Sequence, residues 1–140
     1  MADRNVKIVT KQGRKPLTDA FPKASSTDFD KNSLVEIGSG TINPSDDNDT
    51  VVFGIIREEV ASTDSDYAST TNKLVDIILP GDVVEITTSA QLTVGTSYGI
   101  SNAYTVDQAD TSNKVFTCLK VISSTRAQGI FKCVAGDGVI

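Results

Sequence analysis

Residues 114–134, KVFTCLKVISSTRAQGIFKCV, decide the fold class of this chain because they form the pattern of two β-strands joined by a Ser-Ser-Thr turn. Val, Ile and Phe are frequent in both halves, and branched or aromatic side chains favour strands over helices. Phe116 and Cys118 share one face of the first strand, and Leu119 and Val121 share the other. Both faces are mostly apolar, so the pattern predicts a central hairpin that is covered on both sides.

The same strand-like pattern continues outward from this hairpin. From residue 33 onward, short runs rich in Val and Ile alternate with clusters of Gly, Ser, Asn and Asp. Pro80-Gly81 supplies a fixed φ followed by a residue that accepts a positive φ, as a type II turn requires. The predicted strands are Leu34–Ile37, Thr50–Arg57, Lys73–Leu79, Asp82–Thr87, Gln91–Val94, Ser97–Ile100, Lys114–Ile122 and Ala127–Val134. We therefore expect an all-β fold, a small β-barrel or sandwich-like domain (β-tulip-like) over residues 33–140.

Residues 1–32 differ in character from the rest of the chain. They are polar, contain two prolines and show little periodicity apart from a short alternation over residues 6–10 that could form an edge strand. Residues 1–23 hold six basic and two acidic side chains (+4), whereas residues 24–140 hold seven basic and sixteen acidic ones (−9), which together give the net charge of −5. The sequence predicts an extended N-terminal arm and linker over residues 1–32.

Two interpretations of this basic arm are open. It is either a solvated N-terminus or a segment that becomes ordered on an acidic protein partner. Nucleic acid is a weaker candidate because phosphates would repel the acidic remainder of the chain. Under the second interpretation the binding residues are the basic side chains and two phenylalanines that bury ring area on docking: Arg4, Lys7, Lys11, Arg14, Lys15, Phe21, Lys23 and Phe29.

The composition argues against an enzyme. The chain has no histidine, so it lacks the usual general base of serine and cysteine hydrolases and the commonest transition-metal ligand. No GxGxxG or P-loop motif is present. We expect no catalytic residues, no cofactor and no metal. No apolar run approaches the length of a membrane span, and no apolar h-region indicates a secretory signal.

Two acidic clusters have the oxygen-rich composition of loops that can bind calcium. Asp46, Asp47 and Asp49 form one, and Asp64 and Asp66 form the other. An EF-hand loop requires a glycine at its sixth position and a glutamate at its twelfth, and neither cluster has both. Ordinary turn chemistry, in which Asp side chains accept hydrogen bonds from nearby backbone amides, is the favoured interpretation.

The two cysteines, Cys118 and Cys133, flank the turn of the predicted hairpin. Their spacing fits no zinc motif. A cross-strand disulfide and a pair of reduced, half-buried thiols are both compatible with the pattern. Reduced thiols are favoured because nothing indicates export.

A family resemblance rests on the order of these segments. The chain resembles the capsid decoration (cement) proteins of tailed bacteriophages over residues 33–135, through LVEIGSGTINP (34–44), VVFGIIR (51–57), LPGDVVEI (79–86), LTVGTSYGI (92–100) and the closing hairpin. The likeness lies in the order and the composition of these segments and not in a diagnostic motif.

The resemblance implies a structural protein on the outer surface of an icosahedral phage head, assembled in the host cytoplasm. Such a protein binds the major capsid protein and neighbouring copies of itself, commonly as a homotrimer, and stabilises the shell by clamping capsomers, with no nucleic-acid or membrane partner. The N-terminal arms often become ordered only on the shell, in some cases by adding a strand to a capsid-protein sheet. The alternatives are a head-fibre or tail module that recognises a host surface glycan, using Tyr67, Tyr98 and Tyr104, and a small tail-tube or adaptor component.

Overall fold

The computed structural model describes residues 5–10 and 17–137, and its regular structure in these ranges is almost entirely β. The described residues form eleven strands and a single helical turn. In chain order these are β1 Lys7–Thr10, β2 Leu17–Pro22, β3 Leu34–Gly38, β4 Thr41–Pro44, β5 Gly54–Ile56, β6 Asn72–Ile77, β7 Val83–Thr88, β8 Ser97–Asn102, β9 Thr105–Asp107, β10 Phe116–Ser123, β11 Arg126–Phe131 and α1 Val134–Asp137. The predicted all-β class is confirmed.

Five strands close into a small barrel in the order β7-β11-β10-β8-β9. A short parallel pairing closes the ring, with Thr87 opposite Thr105 and Thr88 opposite Val106. β1 pairs antiparallel with the earlier part of the same edge of β7, where Lys7 lies opposite Glu85. Closing a sheet in this way removes most of its free edges. The predicted small β-barrel is therefore confirmed.

The remaining strands form a second sheet in the order β2-β6-β5-β3-β4. This sheet curls until its two ends meet, because Lys23, just after β2, forms a parallel bridge with Ile42 of β4. The backbone N–H of Ala24 also donates to the carbonyl of Ile42 at 3.0 Å. Curling gives the sheet a concave inner face that can enclose its own set of apolar side chains.

The described residues form two hydrophobic cores that share the strands β3 and β5. Side chains alternate along a strand, so Leu34 and Ile55 point to the core of the barrel while Val35 and Ile56 point into the curled sheet. The barrel core consists mainly of Val84, Ile86, Tyr98, Ile100, Val106, Val115, Phe116, Cys118, Ala127 and Phe131. The core of the curled sheet adds Phe29, Ile42, Phe53, Val60 and Val75. Strands buried on both faces explain the continuous apolar runs in this part of the sequence.

The predicted N-terminal arm requires correction. Residues 17–32 are part of the folded domain, since all six residues of β2 pair with β6, from Leu17 opposite Ile77 to Pro22 opposite Asn72. Residues 5–10 are also attached, because the buried Val6 donates its N–H to the carbonyl of Asn32 at 2.9 Å. The boundary at residue 32 is wrong for these residues; residues 1–4 and 11–16 lie outside the described ranges. The sequence did not indicate β2, because the first four side chains of this edge strand are all exposed. The strand therefore lacks the alternation of apolar and polar residues by which strands are predicted.

Other predicted elements were partly correct. The type II turn is confirmed, because Gly81 has a φ of 86° and the N–H of Asp82 donates to the carbonyl of Leu79 at 3.1 Å. Six predicted strands correspond to β3, β6, β7, β8, β10 and β11. The predicted strand over residues 50–57 is shortened to β5, and that over residues 91–94 is a loop whose Leu92 fills the barrel core. β4 and β9 were not predicted.

Candidate functional site

Lys23, one of the predicted arm residues, is a structural residue. Its side chain is fully buried, and its ammonium donates to the carbonyls of Asp66 at 2.9 Å, Tyr67 at 3.1 Å and Ser69 at 2.6 Å. Three carbonyl oxygens aimed at one ammonium replace the water that the buried charge has lost. Lys23 therefore fastens the loop over residues 61–71 to the end of β2 and is not presented to a partner.

The two phenylalanines of the predicted arm also belong to the domain. Phe29 is 2% exposed and forms an antiparallel bridge with Val60, where each backbone N–H donates to the other's carbonyl. Phe21 is partly buried, and its ring meets that of Phe53 edge to face with the centroids 4.9 Å apart. The expectation that these rings become buried only on docking is wrong, because both already pack in the core of the curled sheet.

Of the predicted arm residues with a described position, Lys7 alone presents an exposed charge. Its ammonium lies 3.5 Å from the carboxylate of Glu85, and more than half of its side chain is accessible. An exposed ion pair of this kind stabilises a fold only slightly, so Lys7 is available to a partner at little energetic cost. Arg4, Lys11, Arg14 and Lys15 lie outside the described residues. The structure thus does not bring the eight predicted residues together into one surface.

The outer face of the β10–β11 hairpin carries an exposed apolar cluster. Leu119, Ile122 and Ile130 are 46%, 45% and 37% exposed, and Val94 in the adjoining loop is 59% exposed. Ile130 lies opposite Thr117 in the ladder. The loop that carries Val94 is attached to the same strand, because the N–H of Gly95 donates to the carbonyl of Cys118 at 2.7 Å. We call Val94, Leu119, Ile122 and Ile130, with the exposed Lys120 and Lys132, the hairpin patch.

A register shift in β10 adds Ile122 to this patch. The pairing moves by one residue between Cys118 and Lys120. A bulge of this kind inverts the alternation of side chains beyond it. Val121 therefore packs against the barrel core, whereas Ile122 lies in solvent on the same side as Leu119. The prediction that both faces of this strand are covered is correct for Phe116 to Cys118 and wrong for the half near the turn.

The charge around the hairpin patch differs from that of the rest of the chain. Residues 114–134 contain Lys114, Lys120, Arg126 and Lys132 and no Asp or Glu. Arg126 is buried, where its guanidinium donates to Glu85 at 3.0 Å and to Thr87 at 3.1 Å. The three lysines are exposed. The patch is thus an apolar and basic surface on a molecule whose residues 24–140 carry a net charge of −9.

The three tyrosines do not form an exposed platform. Tyr98 is 2% exposed in the barrel core, where its hydroxyl accepts a hydrogen bond from the N–H of Thr93 at 2.9 Å. Tyr104 packs on the same core. Tyr67 packs on the other core, and a hydrogen bond to Asp28 raises the pKa of its phenol. The aromatic surface required by a glycan-binding module is therefore not assembled from these side chains.

Three carboxylates converge beside the end of β4, and we call them the carboxylate cluster. Glu36 comes from β3, and Asp46 and Asp49 come from the loop that follows β4; one oxygen of each lies within 4.8 Å of the others. Asp49 is 9% exposed. A hydrogen bond with Asp49, burial and the nearby negative charges of Asp49 and Asp46 raise the pKa of Glu36 to about 8. Sequence reasoning identified Asp46 and Asp49 but missed Glu36, whose signal was a lone acidic residue inside an apolar strand.

The loop of this cluster is internally organised. The N–H of Asp46 donates to a carboxylate oxygen of Asp49 at 3.2 Å, and the N–H of Asn48 donates to the carboxylate of Asp46 at 2.9 Å. These contacts are the turn chemistry predicted for the sequence. The side-chain amide of Asn113 donates to the carbonyls of Asp47 at 3.2 Å and Asp49 at 2.9 Å, which joins the loop to the barrel.

The two cysteines are buried and are not joined in a disulfide. Cys118 lies opposite Gly129, four residues before Cys133 along the partner strand. Four residues of a strand span about 13 Å, which is too far for a disulfide bond. Burial raises the pKa of the Cys118 thiol, so the thiol is held in its less reactive, protonated form.

Comparison with known proteins adds no identification. No family model matches the sequence, and no curated protein matches it. Within the described ranges, no helix has the length and apolar character needed to cross a membrane. The surfaces of the molecule itself, above all the hairpin patch, therefore provide the clues to function.

Proposed function

We propose that this chain is a structural protein that docks on another protein surface, as a capsid decoration protein does. The observation that carries the proposal is the hairpin patch, where Leu119, Ile122, Ile130 and Val94 are exposed together on one hairpin and its adjoining loop. Single exposed apolar residues are ordinary, but a contiguous group rimmed by polar residues marks an interaction site. A surface of this composition matches the apolar centre and polar rim of protein interfaces.

The charge of the patch specifies its partner. Lys120 and Lys132 border the apolar side chains, and residues 114–134 contain no carboxylate. Complementary charge speeds association and disfavours wrong partners. The partner therefore has an apolar depression bordered by acidic side chains. In the proposed role this partner is the major capsid protein on the outer surface of an icosahedral phage head, which the protein joins in the host cytoplasm.

Stabilisation of a shell follows from repeated docking. Neighbouring copies of the protein, as a homotrimer, would bind neighbouring capsomers at the same time. Linked contacts gain from effective concentration, so several modest contacts can hold the assembly more tightly than any one of them by factors of about 10²–10⁴. The basic residues Arg4, Lys11, Arg14 and Lys15 remain candidates for a second contact with the shell. The acidic remainder of the chain would face outward and keep the particle soluble.

Co-sedimentation with undecorated heads of the same phage tests this proposal. Leu119→Asp places a carboxylate in the hairpin patch, and we expect it to lower the bound fraction at least tenfold. Leu74→Asp is the matched control, because Leu74 has the same 46% exposure but lies on β6 in the other sheet. Circular dichroism checks that both variants fold. If Leu119→Asp binds heads as well as the wild type, the hairpin patch is not the docking surface.

A second set of variants separates the patch from the N-terminal charges. Replacing Lys11, Arg14 and Lys15 with Glu reverses three basic charges and leaves the residues of the hairpin patch unchanged. Loss of binding in this variant alone would assign the contact to the basic segment. Binding of the wild-type protein to host cells or glycans, but not to heads, would overturn the proposal in favour of a host-recognition module.

A further inference from the structure

The carboxylate cluster meets the spacing requirement of a calcium site. Calcium binds oxygen ligands at about 2.3–2.6 Å, so two oxygens on the same ion lie at most about 5 Å apart. The carboxylate oxygens of Glu36, Asp46 and Asp49 all fall within 4.8 Å of one another. Two of these groups come from one loop, but Glu36 comes from a separate strand. The fold therefore assembles a ligand set that the loop cannot provide alone.

A buried hydroxyl without a partner provides an independent observation. Ser45 is 3% exposed, and within the described part of the chain its Oγ has no hydrogen-bond partner. Buried polar atoms are rarely left in this state, and an unplaced ion or water is a common explanation. The oxygen of a hydroxyl can serve as a ligand for a hard cation, just as a carboxylate oxygen can.

The strand register places Ser45 on the same side of the sheet as Glu36. The N–H of Ser45 donates to the carbonyl of Leu34 at 3.1 Å, which extends the β3–β4 ladder beyond the pair Val35–Pro44. Opposite residues in an antiparallel ladder share a face, and residues two apart on one strand do so as well. Ser45 therefore lies on the face of the sheet that carries Leu34 and Glu36. The unpartnered hydroxyl and the Glu36 side chain are diagonal neighbours on that face.

We propose that Glu36, Asp46 and Asp49 bind a calcium ion, with the hydroxyl of Ser45 as a further oxygen on the side of the sheet. The donors are all oxygen, which suits calcium and not zinc or copper. A cavity of about 190 Å³ borders Glu36 and Asp49 and leaves room for the water molecules that complete the coordination shell. Calcium tolerates irregular geometry, whereas magnesium demands a near-ideal octahedron.

The proposed ion would join the two halves of the molecule. Glu36 belongs to the curled sheet, and the loop of Asp46 and Asp49 is fastened to the barrel by the side chain of Asn113. An ion held between strand and loop links these parts at one point. The inference does not depend on the proposed docking function, since it concerns the stability of the isolated chain.

Calorimetry and thermal unfolding with calcium chloride test the site on protein freed of metal with EDTA. We expect one site with a dissociation constant of about 10⁻⁴–10⁻³ M, as in extracellular calcium modules. At 10 mM calcium the melting temperature should rise by about 4–10 °C. Magnesium at the same concentration should raise it less.

Four variants make the test specific to these residues. Glu36→Gln and Asp49→Asn should each weaken calcium binding at least tenfold, and Ser45→Ala should weaken it severalfold. Asp47→Asn is the matched control, because Asp47 lies in the same loop but outside the cluster, and its calcium affinity should not change. Glu36→Gln can still donate a hydrogen bond to Asp49, so its fold is preserved.

The results have clear meanings. The absence of both binding heat and a thermal shift at 10 mM calcium would overturn the proposal. Equal affinity in the wild type, Glu36→Gln and Asp49→Asn would place the ion elsewhere and overturn it as well. Unchanged affinity in Ser45→Ala would remove the hydroxyl from the ligand set.

Discussion

Replacing Lys23 with methionine tests whether this residue belongs to the fold or to a binding arm. Methionine keeps most of the aliphatic stem but removes the ammonium that serves the carbonyls of Asp66, Tyr67 and Ser69. A buried polar group left without a partner costs about 1–3 kcal/mol, so three carbonyls set an upper limit of about 9 kcal/mol. Ser69 lies at the surface, where water can replace the lost donor. We therefore expect Lys23→Met to lower the free energy of unfolding by about 3–5 kcal/mol.

Urea denaturation measures this loss, and hydrogen exchange locates it. The amides of the loop over residues 61–71 should lose protection first, because the Lys23 ammonium holds that loop to β2. Lys31→Met is the matched control, since Lys31 is exposed, and its effect should stay within about 0.5 kcal/mol. If Lys23→Met is as stable as Lys31→Met but fails to bind phage heads, Lys23 is a contact residue and the structural assignment is wrong.

Two further predictions concern the cores and the pH dependence. Phe29→Ala should lower the free energy of unfolding, measured by denaturant titration, by about 3–5 kcal/mol. Phe21→Ala should lower it less, because Phe21 is only half-buried. Equal stability of the wild type and Phe29→Ala would contradict the burial of this ring. Burial opposes ionisation of Glu85, but hydrogen bonds from Gln128 and Arg126 outweigh it and lower the pKa of this carboxyl. A lowered folded-state pKa contributes stability that is present at neutral pH and is lost as the pH falls below about 4.3. Glu85→Gln should therefore be less stable than the wild type at pH 7, and the difference should shrink toward pH 3; a constant difference across this range would refute the assignment.

The parts of the fold that the sequence predicted correctly are those set by local chemistry. The Pro80-Gly81 turn requires only a fixed φ followed by a positive one. The β10–β11 hairpin combines branched residues with a turn only two residues long, so its partner strand is nearby in the chain. Alternation also placed Phe116 and Cys118 in the core correctly.

The parts that the sequence did not predict depend on distant partners. β2 pairs with β6, fifty to sixty residues away, and its exposed side chains do not alternate in polarity. Phe29 was assigned to a polar linker, although the distant Val60 supplies its bridge partner. A register shift in the ladder exposed Ile122, and no property of the residue itself reveals that shift.

The candidate sites follow the same division. Asp46 and Asp49 were recognisable as an acidic loop, because they lie within four residues. Glu36 joins them only because β3 and β4 form a tight hairpin that returns the chain past it. The unpartnered hydroxyl of Ser45 is a property of packing and has no counterpart in composition.

The strands β3 and β5, with one face in each core, have a mechanical consequence. Leu34 packs in the barrel core, whereas Val35 packs in the core of the curled sheet. Neither half can therefore unfold without exposing buried apolar side chains of the other. The molecule should therefore melt as a single cooperative unit and not as two. A partner that binds the hairpin patch would therefore stabilise the curled sheet as well as the barrel. This follows because a partner that binds only the folded state raises the free energy of unfolding of the whole cooperative unit. Such an architecture suits a protein that bears mechanical strain, because force applied at one contact is distributed over both sheets.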